Sequence, residues 1–421
     1  MERGAGRIVF KDFRIVDACT DFFGSVIIEN GIITEITSGA HNIMNDDITG
    51  IIINGLAFGP AAVVMPAFVD LHAHFRDPGF PEKETMESAC LAAVAGGYTT
   101  AVCMANTNPV TDTAEKACAL KSRCDALGLV DLYPVVSLTK NMEGRELSGI
   151  KGLSDPELLM VSEDGKDVAD DGLFLAAMGE AKRMGIPVSC HCDFGGEEHS
   201  AVRRAIELGK KAGCHIHIAH VSTKETTAII REAKKNDHSG NAAAGFSLTC
   251  EATPHHIGAT ESDARRMGIE SFGRVNPPLR SEADRQAVIA ALRDGTIDAV
   301  ATDHAPHSET DKSAGAPGFS GLETAFAVCH SHLTPGAGLR LLSALMSGNP
   351  AKVLGLQDRG SIAAGLRADL VIVDIQQEWK VKPEMFKSKG KCSPFADKAF
   401  QGKVLMTLNA GRVVFGGGRI A

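Results

Sequence analysis

Short apolar runs alternate with helical stretches along most of the chain. The runs with strand-like composition occupy eight segments: 68–74, 98–105, 131–138, 158–164, 186–192, 215–221, 246–253 and 297–303. Stretches with a helical pattern lie between them, at 84–95, 113–127, 172–184, 197–212, 224–236 and 282–293. Strands that alternate with helices are typical of parallel βα units. Eight such units predict an α/β protein built on a (β/α)8 barrel of the TIM type, with its active site at the carboxyl ends of the strands.

The two ends of the chain have a different pattern. Residues 1–64 and residues 358–421 both contain short strand-like runs separated by turn signals. Neither end is long enough to bury a substantial core of its own. We therefore expect the N- and C-terminal segments to pair in one small composite β-sandwich, beside a barrel domain formed by residues 65–357.

The composition is that of an ordinary globular protein. Of the 421 residues, 44% are hydrophobic and 23% are charged, and the net charge is −9. A negative net charge favours neither nucleic acid nor an anionic membrane surface as a partner. The apolar stretch at 63–69 is too short to cross a bilayer and is interrupted by Pro66. We expect no contact with nucleic acid or membrane.

The eleven cysteines do not form a recognisable disulfide pattern, because their number is odd and no Cys-x-x-Cys pair occurs. Many lie in apolar periodic segments, for example Cys90, Cys103, Cys190 and Cys192. We interpret them as buried small hydrophobic residues in a reducing compartment. The N-terminus lacks the apolar core of a signal peptide. Both features predict a cytoplasmic location.

Metal-type ligands stand at the ends of several predicted strands. They are His72, His74, Asp164, His191, His220 and Asp303. His72 and His74 are two apart, so in a strand both imidazoles point to the same face. The other four residues each follow an apolar run of their own. Side chains that converge from separate strands predict a metal-centred active site, and nitrogen and oxygen donors suit zinc.

The alternation of side chains along a strand also sorts the remaining histidines and cysteines. His220 shares a face with Ile216 and Ile218, whereas His215 and His217 point the other way. His220 is the last residue before the loop, so we expect it to face the barrel axis and His215 and His217 to pack outward against helices. On the preceding strand, Cys190 and Cys192 point opposite to His191, and we expect them to be outward-facing core residues.

Several motifs resemble one known family. The stretch from Asp70 to Gly79, Asp-Leu-His-Ala-His-Phe-Arg-Asp-Pro-Gly, is similar to the dihydroorotase signature of the amidohydrolase superfamily. The resemblance continues, in order, through Ser162–Gly165, Asn276–Arg280, Ala301–His307 and Pro317–Thr324, and it covers most of the chain. It is greatest to the bacterial type I branch.

This resemblance implies a set of metal ligands. His72, His74 and Asp303 would hold one zinc ion, and His191 and His220 would hold a second. Asp164 would bridge the two, at the position where other members of the superfamily use a carboxylated lysine. Lys166 is near in sequence, but the aligned position is Asp164, and Glu163 is the weaker carboxylate alternative. Whether one or two zinc ions are bound stays open.

The resemblance also implies a reaction and a substrate site. Zinc lowers the pKa of a bound water to about 7, and Asp303 would move the proton between that water and the leaving nitrogen. The reaction would be the reversible cyclisation of N-carbamoyl-L-aspartate to L-dihydroorotate, a step of pyrimidine biosynthesis. Residues expected to contact the substrate are His74, Arg76, Asn106, Asn276, His307, Pro317 and Gly318. Within this set, Arg76, Asn106 and His307 would bind the carboxylate.

Two departures from the type I pattern stand out. Type I relatives commonly have Met-Pro-Asn-Thr where this chain has Met104-Ala105-Asn106-Thr107. The segment between His191 and His220 has room for only one helix, whereas relatives have a longer insert. A homodimer is the expected assembly, with an additional complex with aspartate transcarbamoylase as a further expectation, but the shortened segment leaves the oligomer open. The polar loop 308–316, which follows the catalytic aspartate, is predicted to be a mobile lid.

Two other functions remain open at the level of sequence. One is a hydantoinase or allantoinase, which would normally have a lysine bridge and no arginine at the place of Arg76. The other is a non-catalytic dihydroorotase-like subunit that supports aspartate transcarbamoylase. Such subunits typically lose metal ligands, and this chain keeps all six. Loss of activity on replacing Asp303, in a protein that still folds, would separate the enzyme from the scaffold.

Overall fold

The structure is a computed structural model, and it describes residues 6–39, 50–151, 157–192, 197–236 and 245–416. The strands are β1 (Arg7–Val16), β2 (Asp21–Glu29), β3 (Ile32–Ser38), β4 (Ile51–Asn54), β5 (Ala62–Pro66), β6 (Phe68–Ala73), β7 (Tyr98–Cys103), β8 (Asp131–Pro134), β9 (Val161–Ser162), β10 (Val188–Cys190), β11 (His215–Ile218), β12 (Ser247–Ala252), β13 (Ala299–Val300), β14 (Leu370–Lys380), β15 (Ala399–Asn409) and β16 (Arg412–Phe415). The α-helices are α1 (Met86–Ala95), α2 (Ala114–Leu127), α3 (Asp171–Met184), α4 (Glu198–Ala212), α5 (Lys224–Asn236), α6 (Pro254–Gly258), α7 (Glu261–Met267), α8 (Glu282–Arg293), α9 (Glu309–Ser313), α10 (Ala325–Leu333), α11 (Gly338–Ser343) and α12 (Asn349–Val353).

Strands β6 to β13 form a closed parallel barrel. β6, β7 and β8 pair in one group, and β9 to β13 pair in chain order in a second group. Two parallel bridges join the groups: Val136 pairs with Val161, and Ala73 pairs with His304. The predicted (β/α)8 barrel is therefore confirmed, and the carboxyl ends of its strands meet at one rim.

Both ends of the chain contribute to a second β structure. Its strand order is β16-β15-β14-β5-β1-β2-β3, and β4 pairs with β1. Hydrophobic side chains from the N-terminal strands share a buried cluster with side chains from the C-terminal strands, for example Phe10 and Val26 with Leu370 and Met406. The predicted pairing of the two termini is thus confirmed. The predicted boundary between residues 64 and 65 falls inside β5, and the division into two domains stays a prediction.

Short-range signals define the helices that cover the barrel. The side chains of Thr113 and Asp170 accept hydrogen bonds from backbone N–H groups in the first turns of α2 and α3. Three of these helices end at a glycine with positive φ: Gly128 (63°), Gly185 (72°) and Gly213 (63°). Glycine adopts this left-handed conformation without a steric penalty, so it stops each helix and returns the chain to the next strand.

The outer face of the barrel is the main hydrophobic core. Ile216 and Ile218 of β11 belong to the same buried cluster as Ile206 of α4 and Ile230 of α5. Cys190 and Cys192 are buried in this cluster too, as their position along the strand predicts. All eleven cysteines are free thiols. Among the described residues, we find no helix with the length and apolar character needed to cross a membrane.

The last barrel strand is shorter than predicted. β13 covers only Ala299 and Val300, whereas the apolar pattern predicts a strand to residue 303. The physical reason is a side chain: the Thr302 N–H donates to Asp70 Oδ1 at 2.8 Å, and the Thr302 hydroxyl donates to Asp70 Oδ2 at 2.5 Å. The ladder therefore ends early, and Asp303 leaves it with φ of 44°.

Candidate active site

Six side chains meet at the carboxyl rim of the barrel, and we refer to them as the ligand cluster. They come from β6 and from the ends of β9, β10, β11 and β13: His72, His74, Asp164, His191, His220 and Asp303. The same six residues are predicted from the sequence. All are buried. Two overlapping groups within the cluster have ligand atoms within 4.8 Å of one another: His72 with Asp164 and His220, and His72 with His74 and Asp303.

Asp164 lies at the centre of the ligand cluster. Its Oδ1 is 3.3 Å from His72 Nε2, 3.2 Å from His191 Nδ1 and 3.7 Å from His220 Nε2. Its Oδ2 is 3.4 Å from His74 Nε2. One carboxylate therefore reaches all four imidazoles, which is the arrangement expected of a bridging ligand.

Asp303 contacts the β6 side of the ligand cluster. Its Oδ1 lies 3.2 Å from His74 Nε2 and 3.6 Å from His72 Nε2. Burial alone would raise the pKa of the Asp303 carboxyl, but His74 and His72 outweigh burial and hold that pKa below its usual range. Burial is outweighed in the same way at Asp164, where His72 and His191 hold the pKa well below its usual range. Both groups are therefore carboxylates at neutral pH.

The Nε2 atoms of His72 and His74 are suited to bind a metal ion. His72 Nδ1 donates to Glu251 Oε1 at 2.9 Å. His72 Nε2 is buried and has no hydrogen-bond partner among the described residues, although it faces two carboxylates. Likewise His74 Nδ1 donates to Asn106 Oδ1 at 2.9 Å, which leaves the Nε2 lone pair toward Asp303. Buried nitrogen lone pairs beside carboxylate oxygens are a donor set that suits zinc and related divalent metals.

Backbone strain is concentrated at this site. Arg76, His220 and Asp303 have φ values of 57°, 35° and 44°, in the left-handed region that side chains other than glycine rarely adopt. Such conformations persist only where the surrounding structure holds them, and they are frequent at functional sites. At His220 the strained φ has a direct effect. Alternation along β11 would place His220 on the outer face with Ile218, and the turn in the backbone brings its ring into the ligand cluster instead.

The prediction that His215 and His217 pack outward against helices is wrong. His217 Nε2 lies 3.0 Å from Glu251 Oε2, and both His215 Nε2 and His217 Nδ1 lie 2.8 Å from Thr249 Oγ1. The alternating isoleucines of β11 take the outer face, so the histidines take the inner one. The prediction fails because the regular alternation of side chains along β11 does not continue to His220, where the chain bends.

The two alternative bridging residues are used elsewhere. Glu163 Oε2 accepts a hydrogen bond from the Thr139 N–H at 3.0 Å, and its other oxygen accepts from the Thr139 hydroxyl. Lys166 Nζ donates to the carbonyl oxygen of Met142 at 2.8 Å. Both side chains therefore hold the loop after β8 and lie outside the ligand cluster, which leaves Asp164 as the bridging candidate.

A cavity of about 220 Å³ opens beside the ligand cluster. All seven residues predicted to contact substrate line it: His74, Arg76, Asn106, Asn276, His307, Pro317 and Gly318. Asp164, His191, His220 and Asp303 line the same cavity, whereas His72 lies below its surface. The volume suits a small ring, and most of the lining residues have polar side chains.

Arg76 is the cationic group of the cavity. Its Nε donates to the Pro306 carbonyl oxygen at 3.3 Å, and its Nη2 lies 3.2 Å from His307 Nε2. Among the described residues, the hydrogen-bond neighbours of the half-buried Arg76 guanidinium are thus a carbonyl oxygen and an imidazole, and neither is a carboxylate. A half-buried cation without a carboxylate partner favours an anionic ligand.

The remaining predicted contacts are partly engaged within the protein. Asn276 Nδ2 lies 3.2 Å from His191 Nε2, so Asn276 orients a member of the ligand cluster as well as lining the cavity. The Pro317 carbonyl oxygen accepts from His307 Nε2 at 2.9 Å, and the Gly318 N–H donates to the Arg274 carbonyl oxygen at 3.1 Å. The Gly318 N–H is therefore occupied. Only carbonyl lone pairs remain along this backbone for a ligand.

The segment predicted as an irregular lid, residues 308–316, contains the helix α9. Ser308 and Asp311 form a capping box at its start. Lys312 is fully buried, and its Nζ donates to the carbonyl oxygens of Arg274, Ala316 and Gly318 at 2.8, 2.8 and 3.0 Å. This ammonium ties α9 to the two loops that present Asn276 and Gly318. Whether the segment moves as a lid stays a prediction.

Sequence reasoning missed three buried polar residues that support the site: Glu251, His217 and Lys312. Burial alone would raise the pKa of Glu251, but hydrogen bonds from His217 and His72 outweigh burial and lower it to about 2. Thr249 and Glu251 alternate along β12, and this alternation of polar residues is a signal for an inward polar face. Lys312 gave no comparable signal, because its three acceptors are distant in sequence or in an irregular loop.

Comparison with known proteins agrees with this geometry. The model of the amidohydrolase family matches residues 63–414. The chain therefore belongs to the amidohydrolase family, whose members are metal-dependent enzymes. This membership confirms that the chain is a hydrolase.

Individual relatives are more specific. The dihydroorotase of Clostridium botulinum (strain Eklund 17B / Type B) is 38% identical over 419 residues, which cover 97% of this chain and 99% of the relative. The dihydroorotase of Bacillus licheniformis is 37% identical over 387 residues, 85% of this chain and 88% of the relative. Within the amidohydrolase family the chain is thus a member of the dihydroorotases, and the predicted resemblance is confirmed.

Solved structures share the fold at lower identity. An L-hydantoinase (dihydropyrimidinase) from Arthrobacter aurescens has a TM-score of 0.81 and 24% identity, and the match covers 97% of this chain and 96% of that chain. A dihydropyrimidinase from Brevibacillus agri NCHU1002 has a TM-score of 0.80 and 19% identity over 97% and 94% of the two chains. Likeness at this identity supports the fold and leaves the substrate to the site itself.

Proposed function

We propose that this chain is a dihydroorotase, which interconverts N-carbamoyl-L-aspartate and L-dihydroorotate in pyrimidine biosynthesis. The observation that carries the proposal is the position of Arg76. Its guanidinium, whose hydrogen-bond neighbours among the described residues include no carboxylate, lines the cavity to which the ligand cluster is also exposed. A substrate with one carboxylate and one ring amide can meet both features at once. Hydantoin rings without a carboxylate would leave the guanidinium without an anionic partner, which favours dihydroorotate over the hydantoinase alternative.

The metal of the proposed enzyme is zinc, with one or two ions per chain. His72, His74 and Asp303 would hold one ion, His191 and His220 the other, and Asp164 would bridge them. When bound, zinc supplies a Lewis acid that polarises an amide carbonyl and makes water more acidic. The protein orients two of the ligands through Glu251, which accepts from His72 Nδ1, and Asn106, which accepts from His74 Nδ1.

Asp303 is the proposed proton carrier. Its carboxylate lines the cavity and has a depressed pKa, so it is ionised and able to accept a proton. In hydrolysis it takes the proton of the attacking water and delivers it to the ring nitrogen as the amide bond breaks. In cyclisation it takes a proton from the ureido nitrogen of carbamoyl aspartate as that nitrogen bonds to the side-chain carboxyl carbon, and it returns the proton to the oxygen that leaves this carbon as water. One carboxylate thus acts as base and then as acid in either direction.

Arg76, Asn106 and His307 form the proposed carboxylate site. Arg76 presents a planar pair of N–H donors that matches a carboxylate. His307 Nε2 donates to the Pro317 carbonyl oxygen, and burial together with the Arg76 charge lowers the pKa of His307 to about 3. At neutral pH His307 is therefore uncharged and its one hydrogen is engaged by Pro317, so His307 borders the carboxylate site, while Arg76 supplies the positive charge and Arg76 and Asn106 supply the N–H donors. Asn276 and the carbonyl groups at Pro317 and Gly318 would face the amide and urea edge of the ring.

Replacement of Arg76 by lysine tests the carboxylate site. The change keeps a positive charge and loses the two-pronged geometry, so we expect kcat/KM for dihydroorotate to fall about 10- to 100-fold, mainly through KM, as expected for charged hydrogen bonds. Arg265→Lys is the matched control, since Arg265 is exposed and pairs with Glu261 at the surface. Steady-state kinetics of both variants provide the measurement. A KM for Arg76→Lys equal to that of the parent would contradict the assignment.

Assembly and location are further parts of the proposal. We propose a homodimer in the cytoplasm that can associate with aspartate transcarbamoylase. The free thiols of all eleven cysteines support a reducing compartment. Among the described residues between β10 and β11 there is one helix, α4, which fits the short segment predicted between His191 and His220. Light scattering of the purified chain, alone and with aspartate transcarbamoylase, measures both associations.

A further inference from the structure

A chain of buried hydrogen bonds leads from the ligand cluster into the interior of the barrel. Its first member is His72, whose Nδ1 contacts Glu251 Oε1 at 2.9 Å. Glu251 Oε2 contacts His217 Nε2 at 3.0 Å. Glu251, His72 and His217 each have no exposed surface. A carboxylate only accepts hydrogen bonds, so a Glu251 carboxylate between the two rings requires a hydrogen on each imidazole nitrogen that faces it.

The chain continues on the strand beside His217. His217 Nδ1 and His215 Nε2 both lie 2.8 Å from Thr249 Oγ1. In a neutral His217 the second nitrogen accepts, so the Thr249 hydroxyl donates to His217 and accepts from His215. Every link then has one hydrogen and one acceptor. The direction of each hydrogen bond follows from the direction of the one before it.

We propose that Glu251 and His217 are positioning residues of the metal site. Through them, the chain to Thr249 holds His72 in the tautomer that has its hydrogen on Nδ1. This tautomer leaves the Nε2 lone pair of His72 for the metal. The buried Nε2 has no hydrogen-bond partner among the described residues and faces Asp164 and Asp303 at 3.3 and 3.6 Å. A negative carboxylate on the opposite nitrogen also makes the imidazole a stronger donor.

The open rim of the barrel explains why the residues that orient His72 lie on the interior side of the ligand cluster. The rim above the ligand cluster is open to the cavity, so a partner placed there would compete with substrate. Glu251 belongs to β12 and His217 to β11, and both side chains point inward beneath the cluster. Neither residue lines the cavity. Their role is therefore exerted through His72, without contact with the substrate.

The experiment measures Zn²⁺ affinity by competition with a chromogenic chelator, on the full chain with the metal first removed. Glu251→Gln keeps the volume and removes the negative charge. His217→Phe keeps a flat ring and removes both hydrogen bonds. We expect each variant to bind the ion held by His72 about 10- to 100-fold more weakly, the usual effect of losing such a partner. Thr249→Val, which breaks only the far link, should weaken binding by a smaller factor.

His330→Phe is the matched control. The His330 ring is also bonded at both nitrogens, to the Ile375 carbonyl oxygen at 2.9 Å and to Thr334 Oγ1 at 3.1 Å, but it lies on α10 away from the ligand cluster. This variant should keep the parent affinity for Zn²⁺. Thermal unfolding of each metal-free variant shows whether the protein folds. If His217→Phe does not fold, the nearly isosteric Glu251→Gln and Thr249→Val still decide the question.

A second readout reports the tautomer itself. In the metal-free protein with ¹⁵N-labelled histidine, the His72 resonances are those that disappear in His72→Gln. At a pH high enough for His72 of the metal-free protein to be neutral, we expect the parent His72 to have its proton on Nδ1, and Glu251→Gln to increase the population with the proton on Nε2. Variants that lower the unfolding temperature while both the Zn²⁺ affinity and the His72 tautomer stay as in the parent would overturn the proposal, because Glu251 and His217 would then only fill the barrel.

The inference rests on the metal site of the proposed function and does not depend on its substrate. The assay uses Zn²⁺ alone, so the two can fail separately. A parent that binds Zn²⁺, with weaker binding in Glu251→Gln, supports the positioning role even if dihydroorotate is not turned over. A parent that binds no Zn²⁺ contradicts the proposed metal site before any variant is compared.

Discussion

Replacement of Asp303 by asparagine is expected to lower kcat for dihydroorotate about 10³-fold, within the range for loss of a general acid–base group. Asparagine keeps the size of the side chain and one carbonyl oxygen, but it cannot accept the proton that the reaction must move. The depressed pKa of Asp303, caused by His74 and His72 against the effect of burial, makes it a carboxylate throughout the neutral range. Two carboxylates of the described residues lie beside His74, and Asp164 is at the centre of the four imidazoles, which leaves Asp303 for this task.

The Asp303→Asn measurement needs a control for general effects of removing a charge. Asp125→Asn serves this purpose, because Asp125 is a surface residue of α2 that pairs with Lys121. Steady-state turnover, zinc content and circular dichroism are recorded for both variants. Asp125→Asn should retain the parent rate. A folded Asp303→Asn protein that retains more than about a tenth of the parent kcat would show that Asp303 does not carry the proton, since general acid–base catalysis contributes far more than tenfold.

Removal of the metal is expected to abolish turnover completely and to lower the thermal stability of the chain. Without a cation, two carboxylates face each other across buried imidazoles, and His72 Nε2 lacks a partner among the described residues. A ligand at about a thousand times its dissociation constant stabilises the folded state by about 4 kcal/mol. The unfolding temperature should therefore rise on addition of Zn²⁺ and fall on chelation.

Dialysis against a chelator, followed by stepwise return of Zn²⁺, measures both effects on the same sample. Turnover and unfolding temperature should recover together as the metal content rises to one or two ions per chain. The number of ions at which activity is complete answers the question that sequence left open. Full turnover with a metal content far below one ion per chain would contradict a metal-dependent mechanism.

The ligand cluster could be predicted from sequence because its members stand at strand ends, where residues distant in the chain converge. The prediction needed only the strand–helix alternation and the rule that barrel sites lie at the carboxyl rim. The face of the strand to which each histidine of β11 points is harder to predict. His217 and His220 were assigned by regular alternation, but a positive φ of 35° at His220 interrupts the alternation and reverses the assignment of His217.

Other features depend on contacts that no local pattern encodes. The early end of β13 follows from Asp70, a residue 232 positions away that captures the Thr302 amide. Lys312 is polar and lies in a segment rich in small residues that the sequence predicts to be a loop, yet it belongs to α9 and is fully buried among three carbonyl oxygens. In both cases a buried polar group must find its partners, and those partners become neighbours only once the barrel has closed.

The central claim is that one cavity joins a metal site to an arginine that binds the carboxylate of dihydroorotate. The most direct test follows the loss of L-dihydroorotate by ultraviolet absorbance at slightly alkaline pH, with the metal content of the same sample measured by mass spectrometry. We expect a protein that contains one or two zinc ions per chain and hydrolyses dihydroorotate. Bound zinc with turnover of hydantoin or allantoin and none of dihydroorotate would contradict it, and a protein without metal or activity, even after zinc is supplied, would favour the non-catalytic subunit.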